Sequence, residues 1–242
     1  MPTLYSYVLR YDTGLAPNPF FGTCSLVVCK PVVRRSASVG DWVVGLCSAD
    51  QRRSAFGDAG VPGVVYAMEV TEKVRMEEYD ALTRSVLPGK IPDPSSPDPA
   101  RRAGDSLYDY SRRGEHGEWP ALRPGLHDEA HRARDLGGQY ALLSERFYYF
   151  GREPRQLPDH LSGVALYESG SHLRQGHLTL DLLGPFRSWI EGLGLEPNRV
   201  LAVPAQAPTR SSGCGGIPTR IGCVPAEVSA VGARSVPSRS RC

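Results

Sequence analysis

The strongest constraint on the fold is a succession of short strand-like segments in the first third of the chain. Residues 4–10, 41–47 and 61–70 are rich in β-branched and aromatic residues and are separated by polar or glycine-containing loops. Residues 24–34 have a similar composition but contain Pro31, which favours an edge strand or a bulge. These segments predict an α+β protein built on a small, mostly antiparallel β-barrel or curved sheet.

The rest of the chain alternates between ordered and loop-like patterns. Apolar residues recur at helical spacing over residues 76–86, which predicts a helix. Residues 87–138 hold seven prolines and many charges, and we interpret them as a long loop insertion. Two strand-like segments follow at 140–144 and 146–151. A C-terminal helix is predicted to begin near Pro185 and to stop at Gly194.

The domain prediction is a single domain over residues 1–204 followed by a tail over residues 205–242. The tail lacks aromatic residues and has five arginines against one acidic residue, Glu227. Such a composition is typical of a disordered basic segment.

Composition limits the possible partners and compartments. A net charge of +2 gives no bulk attraction to nucleic acid. Arginine far outnumbers lysine, which either favours planar contacts to phosphates and bases or reflects codon usage. No apolar run reaches the roughly 18 residues that span a membrane, and charges begin too early for a signal peptide. We therefore expect a cytoplasmic protein without a membrane partner. The six scattered cysteines lack a C-x-x-C spacing and are expected to be reduced, mostly structural thiols.

The most specific local pattern is the loop that contains Asn18. Two prolines bracket this asparagine, and Phe20 and Phe21 follow directly. An amide can both donate to and accept from a base edge, and aromatic rings can stack on an exposed base. The same residues equally predict a rigid turn whose aromatics fill the core. Trp42 is open to both interpretations, as a core residue or as the wall of a pocket.

Two histidine patterns contain groups that could bind a metal or an anion. His127, His131 and Asp135 are spaced so that a helix would place them on one face, where they could ligate a metal. Residues of these types on a polar helix are more often solvated, so no metal site is predicted. His172 and His177 flank a short glycine-bracketed segment that favours either an anion-binding loop or a plain connection. Phosphate-binding, dinucleotide-binding, serine-hydrolase, zinc-protease and zinc-deaminase motifs are all absent from the sequence.

Several of these segments together resemble the nucleotide modification associated domain 2 family. The resemblance covers roughly residues 4–195 and lies in the segments 5–8, 11–22, 24–35, 39–45, 65–71, 104–108 and 147–151. It implies a prokaryotic or phage-associated protein linked to systems that make or handle modified DNA bases. The segment 170–177 departs from the family pattern. A weaker, fold-level similarity to EVE and other PUA-like barrels implies a base-binding pocket lined by aromatic residues.

The function predicted from these observations is recognition of a modified base in DNA or in a nucleotide, without a cofactor. Asn18 is assigned to the base edge, and Phe20, Phe21 and Trp42 to stacking or pocket walls. Phosphate contacts are assigned to Arg34, Arg35, Arg52 and Arg53. The alternative is an enzyme that acts on a nucleotide or base, with a polar centre made of Asp12, Asp105, Tyr108, His172 and His177.

Overall fold

The structure is a computed structural model that describes residues 2–57, 62–115, 117–165, 173–174 and 182–209. Helices α1 to α6 span Pro31–Ser36, Ala49–Phe56, Met76–Ser85, Pro99–Arg102, Arg132–Leu136 and Leu183–Glu191. Short 3-10 turns lie at Pro88–Lys90, Glu129–His131 and Asp159–Ala165. Strands β1 to β12 span Leu4–Val8, Cys24–Leu26, Trp42–Leu46, Gly63–Glu69, Glu72–Arg75, Tyr108–Asp109, Ala121–Leu122, Tyr140–Ser144, Arg146–Tyr149, Arg155–Gln156, Leu173–Arg174 and Arg199–Val200.

The strands form a large sheet and two smaller ones. The large sheet has the order β11-β1-β3-β4-β9-β12, with β10 also paired to β4. Its pairs are antiparallel except β1 with β3 and β9 with β12. A second, antiparallel sheet has the order β2-β8-β5, and β6 pairs with β7 in a third. The strand β4 leads almost directly into β5, and β8 into β9, so two short connections join the first two sheets.

The large sheet is covered on both faces because its side chains alternate between two apolar clusters. One cluster contains Tyr7, Val43 and Phe147, and it also takes in Val33 from α1. The other contains Trp42 and Tyr148, and it packs against α6. A third cluster lies where α3 meets the second and third sheets. Burial on both faces holds this sheet as a rigid platform for the loops at its edges.

The α+β class is confirmed, but the barrel is not. Among the described strands no sheet closes on itself, so the architecture is a set of bent, open sheets. The strand expected at residues 24–34 is also wrong in extent, because β2 ends at Leu26 and α1 begins at Pro31. Proline has no amide hydrogen for a strand ladder, but its fixed φ suits the first turn of a helix.

The insertion at 87–138 is largely ordered as short helices, turns and the β6-β7 pair. The C-terminal helix is present as α6, although it ends at Glu191 rather than near Gly194. Residues 205–208, assigned to the tail, contact Asp12 and Arg102. Residues 210–242 lie outside the described residues. Within the described part of the chain, every helix is too short or too polar to cross a membrane.

Candidate active site

Cys29 lies at a sharp turn between β2 and α1. Its φ is 57°, and the next residue, Lys30, has φ 39° and ψ 50° as the N-cap of α1. Two consecutive residues with side chains in the left-handed region are unusual, and such backbone strain clusters at functional sites. Pro31 then fixes the first turn of α1. The turn leaves Cys29 half-buried, whereas Val27 and Val28 before it are buried.

The insertion brings a histidine and an aspartate to this turn. His127 precedes the 3-10 turn at Glu129–His131, and Asp135 lies in α5 directly after it. The Nδ1 atom of His127 is 2.6 Å from Oδ2 of Asp135, and its Nε2 atom is 3.7 Å from Sγ of Cys29. The backbone N–H of Cys29 donates to Oδ1 of Asp135 at 2.8 Å. Asp135 thus orients both the histidine ring and the cysteine backbone.

These contacts have the arrangement of a nucleophile, a base and an orienting acid. A carboxylate on one ring nitrogen fixes the imidazole so that its other nitrogen faces the thiol. The His127 side chain is 6% exposed, and that of Asp135 is fully buried. Of the three, the half-buried Cys29 is the most accessible to a substrate, and Asp135 acts only through the groups that it orients.

The surroundings of Asp135 keep this carboxylate ionised. Burial raises its pKa, but the hydrogen bond and charge of His127, the Cys29 amide and the Arg34 guanidinium hold it below the ordinary range. The Tyr108 hydroxyl also donates to Oδ2 of Asp135, at 3.1 Å. Burial, and then the Asp135 charge, raises the pKa of Tyr108, so this hydroxyl stays a donor.

The same three residues could in principle ligate a metal, because their ligand atoms lie within 4.8 Å of one another. However, a spacing of 2.6 Å between His127 and Asp135 is that of a hydrogen bond. Two N or O donors on one tetrahedral zinc ion would be roughly 3.3 Å apart. Asp135 therefore binds the ring, which leaves two donors where zinc takes three or four from protein, so the described residues do not fit a resident zinc.

The other two cysteines that the structure describes have a different environment from Cys29. Cys24 is fully buried, and burial raises the pKa of its thiol to about 12. Burial also raises the pKa of Cys47. A buried, protonated thiol is inert. The expectation of structural thiols therefore suits Cys24 and Cys47, and Cys29 stands apart from them.

Asn18, which we assigned to a base edge, lies in the interior. Its Nδ2 atom donates to the carbonyl of Ala103 at 2.9 Å, and its Oδ1 accepts from the Lys90 ammonium at 2.8 Å. Lys90 and Asp105 are both fully buried, and Ser25 hydrogen-bonds to both of them. Contact between Asn18 and a base would require this network to open.

The aromatic residues assigned to base stacking are divided between the core and the surface. Trp42 is fully buried and meets Phe186 of α6 edge-on, with ring centroids 6.0 Å apart. Phe20 is half-buried beside Gly14. Phe21 is 37% exposed, has φ 62° and lies beside Gly89. Of this set, Phe21 has the most accessible ring, and the stacking roles stay predictions.

The four arginines assigned to phosphate lie on two helices. Arg34 is fully buried in α1 and donates to the backbone carbonyls of Val27, Cys29, Asp135 and Tyr140. Arg35 is exposed, and it donates to the Gly137 carbonyl. Arg52 and Arg53 belong to α2, where Arg53 pairs with Asp50 at 3.6 Å. Arg34 could reach a phosphate only by leaving these carbonyls.

Three residues of the alternative catalytic centre are described by the structure, and they lie in separate networks. Asp12 is buried and accepts from the Tyr149 hydroxyl, whereas Asp105 accepts from Tyr79 and Ser25, each at 2.6 Å. Tyr108 contacts Asp135 in the candidate site. His172 and His177 lie outside the described residues. Among the members of this set that the structure describes, Tyr108 is the one that hydrogen-bonds to a residue of the candidate site.

Sequence reasoning singled out His127 and Asp135 but missed Cys29. The spacing of the histidines suggested a metal, whereas the structure pairs Asp135 with His127, and the other nitrogen of His127 with the thiol of Cys29. The available signal for Cys29 was its position between an apolar strand and a proline, where a turn must form. A sharp strand-to-helix turn is also how α/β-hydrolases expose their nucleophilic serine.

The fold and the site define a mixed α+β protein with a cysteine–histidine–aspartate centre. The model of nucleotide modification associated domain 2 matches residues 1–210, so the chain belongs to this family. All three site residues lie within that match. No curated protein and no solved structure shows significant similarity to the chain. Family membership indicates a role in DNA base modification systems.

Proposed function

We propose that this protein is an enzyme of DNA base modification systems that uses Cys29 as a nucleophile toward a carbonyl carbon on a nucleotide or base. The observation that carries the proposal is the geometry at Cys29. His127 lies 3.7 Å from its sulfur, and the buried Asp135 holds the opposite ring nitrogen at 2.6 Å. The family supplies the nucleotide context, and the cysteine centre supplies the reaction class.

The reaction proceeds in two half-reactions. His127 takes the Cys29 proton at Nε2, and the thiolate attacks the carbonyl carbon of an acyl group on the nucleotide. The bond from that carbon to nitrogen or oxygen breaks, and the leaving group takes the proton from His127. His127 then removes a proton from water, whose oxygen attacks the thioester, and this releases a carboxylic acid and regenerates the thiol.

Base recognition and catalysis require different kinds of site. A reader needs an accessible aromatic slot, whereas Asn18 and Trp42 are buried and Phe21 is the most exposed of the assigned rings. An enzyme needs titratable groups that converge on a reactive atom, and His127 and Asp135 do so at Cys29. The geometry therefore favours the enzyme.

The first test is the reactivity of the thiols. The intact protein is treated with limiting iodoacetamide near neutral pH, and alkylation is followed peptide by peptide with mass spectrometry. Cys29 should react at least about tenfold faster than Cys24 and Cys47, and than Cys29 in the His127→Gln variant, because the thiolate is the reactive form and a neighbouring imidazolium favours it. Equal rates in the parent and in His127→Gln would contradict the proposal.

The second test offers an acylated base, such as N4-acetylcytosine or N6-acyladenine, as the free nucleoside and within an oligonucleotide. Release of the acid and an acyl adduct on the Cys29 peptide are expected. Cys29→Ser and Asp135→Asn should lower the rate by about 10²-fold or more, and Cys47→Ser is the matched control that keeps activity. Tight, modification-dependent binding by Cys29→Ala, without turnover by the parent, would return the function to base recognition.

A further inference from the structure

An exposed tryptophan lies on the hairpin that carries Tyr108. Strands β6 and β7 pair Tyr108 with Leu122, and Trp119 lies in the connection between these strands, where it is 54% exposed. The rings of Trp119 and Tyr110 are nearly perpendicular, with centroids 6.3 Å apart and planes at 80°. Tyr110 therefore supports the indole without stacking on it in the parallel arrangement that a nucleobase adopts.

Hydrogen bonds fix the backbone next to Trp119. The N–H of Ala121 donates to the carbonyl of Arg112 at 2.8 Å, and the Arg132 guanidinium donates to the carbonyl of Pro120 at 2.7 Å. Because the backbone beside the indole is held in this way, less conformational entropy is lost when a flat ligand binds to the exposed ring.

The same arginine connects this loop to the candidate site. The Arg132 guanidinium lies over the Tyr108 ring, 5.7 Å from its centroid, and the Tyr108 hydroxyl donates to Asp135 at 3.1 Å. Trp119 thus lies on the side of the candidate site that β6 forms, with Arg132 and Tyr108 between it and Asp135. This position is suited to a group next to the reacting one.

We infer that Trp119 is a specificity-determining residue that stacks on the base next to the acylated base, so that the substrate is single-stranded DNA rather than a free nucleotide. The inference rests on the proposed function, because it names the substrate class of the same site. Stacking on an aromatic side chain strengthens the binding of an unpaired base by roughly 5- to 150-fold. In a duplex the faces of each base are covered by its neighbours, and a free nucleotide has no second base to stack.

The charges of this loop indicate that its contribution comes from the ring. Between β6 and β7 the sequence has Arg112 and Arg113 against Glu115 and Glu118, so these four charges sum to zero. Salt weakens contacts to phosphates steeply, because they depend on charge. The contribution of Trp119 is therefore expected to be about the same at low and at high salt.

The first measurement compares kcat/KM of the intact protein for N4-acetyldeoxycytidine as the nucleoside and within a single-stranded tetranucleotide. The ratio of the tetranucleotide value to the nucleoside value should exceed about ten in the parent and fall by about tenfold in Trp119→Ala. The fall should appear in KM, at two salt concentrations alike, and Trp119→Phe should restore most of it because it keeps an aromatic face. Tyr11→Ala, which removes an exposed ring from the β1–β2 loop, is the matched control with an unchanged ratio.

A second measurement detects stacking without turnover. Trp42 is fully buried and Trp189 is half-buried, so Trp119 is the most exposed of the three tryptophans. The tetranucleotide should quench the tryptophan fluorescence of the Cys29→Ala variant. Addition of Trp119→Phe should abolish this quenching, whereas addition of Trp189→Phe should preserve it.

The outcomes separate this inference from the proposed function. A ratio that is the same in Trp119→Ala as in the parent overturns the inference, because the ring would then support only the fold of the site. Turnover that depends on Cys29 would leave the proposed function in place in that case. Absence of turnover by the parent would instead overturn the proposed function, and quenching that depends on Trp119 would then show a strand that is bound but not processed.

Discussion

At the scale of single residues, Lys90 shows how a buried charge can join distant segments. Its ammonium is fully buried and lies within hydrogen-bond distance of four oxygens: Asn18 O at 2.9 Å, Asn18 Oδ1 at 2.8 Å, Thr23 O at 2.6 Å and Ser25 Oγ at 2.8 Å. Burial lowers the pKa of Lys90, and the nearby Asp105 charge opposes that shift. The first residues of the insertion are thus tied to the loop before β2.

We expect Lys90→Met to lower the free energy of unfolding by about 3 to 5 kcal/mol, because it leaves buried oxygens and the Asp105 carboxylate without their cation. Urea unfolding followed by circular dichroism measures the loss. Lys73→Met is the control, with an expected loss below about 1 kcal/mol, since Lys73 is only half-buried. Adding Asp105→Asn to Lys90→Met should recover part of the stability; no recovery would mean that packing, not charge, dominates at this position.

At the scale of elements, an ion-pair network fastens the insertion to α3. Asp80 of α3 is 1% exposed and pairs with Arg123 at 2.6 Å and Arg84 at 2.7 Å. Arg123 also donates to the backbone carbonyls of Ser106 and Tyr108, at 3.0 and 3.1 Å. The network therefore fixes β6, whose Tyr108 donates to Asp135 of the candidate site.

Replacing Arg123 with Ala should cost about 2 to 3 kcal/mol of unfolding free energy, because Asp80 then keeps only Arg84 as a charged partner. It should also slow Cys29 alkylation, since β6 supports Asp135 through Tyr108. Arg199→Ala breaks the exposed pair with Glu196 and should cost less than about 1 kcal/mol. Urea unfolding measures the free energy of unfolding of both variants. Equal losses of stability in Arg123→Ala and Arg199→Ala would refute the role given to the network.

The element patterns also show what could be predicted from the sequence. The strand β3, the helix α3 and the strands β8 and β9 follow local apolar spacing, and they lie close to their expected positions. The segment at 24–34 was misassigned because its composition favours a strand throughout, whereas Pro31 and two left-handed residues force a turn and a helix. Composition alone does not reveal a positive φ at a cysteine or a lysine.

At the scale of the whole molecule, the candidate site depends on contacts that no local pattern contains. Cys29 is 98 residues from His127 and 106 from Asp135 along the chain. Spacing drew attention to the histidine and the aspartate only as neighbours on a supposed helix. Their actual partnership arises because the insertion folds back onto the β2–α1 turn, which is a tertiary arrangement. Asn18 and Trp42 have the chemical groups that base recognition needs. Both are nevertheless buried, because the burial of a side chain depends on how whole sheets pack.

The C-terminal end of the described chain makes a comparable long-range contact. Asp12 is buried. Its Oδ2 atom accepts from the N–H of Ala205 at 3.0 Å, and its backbone carbonyl accepts from the N–H of Gln206 at 2.8 Å. The Asp12 N–H donates to Oε1 of Gln206 at 2.6 Å. Arg102 of α4 donates to the carbonyl of Pro208 at 2.9 Å. Residues 205–208 therefore connect the first strand region with the insertion.

Two truncated chains distinguish the contribution of residues 205–208 to stability from that of the residues after them. Burial raises the pKa of Asp12, and the Tyr149 and Ala205 hydrogen bonds oppose that shift, so removal of Ala205 leaves the carboxylate less compensated. A chain that ends at Pro204 should lose about 2 to 3 kcal/mol of unfolding free energy. A chain that ends at Thr209 keeps each of these contacts and should unfold within about 0.5 kcal/mol of the full chain. Equal stability of the two truncated chains in urea would show that residues 205–208 do not hold these regions together.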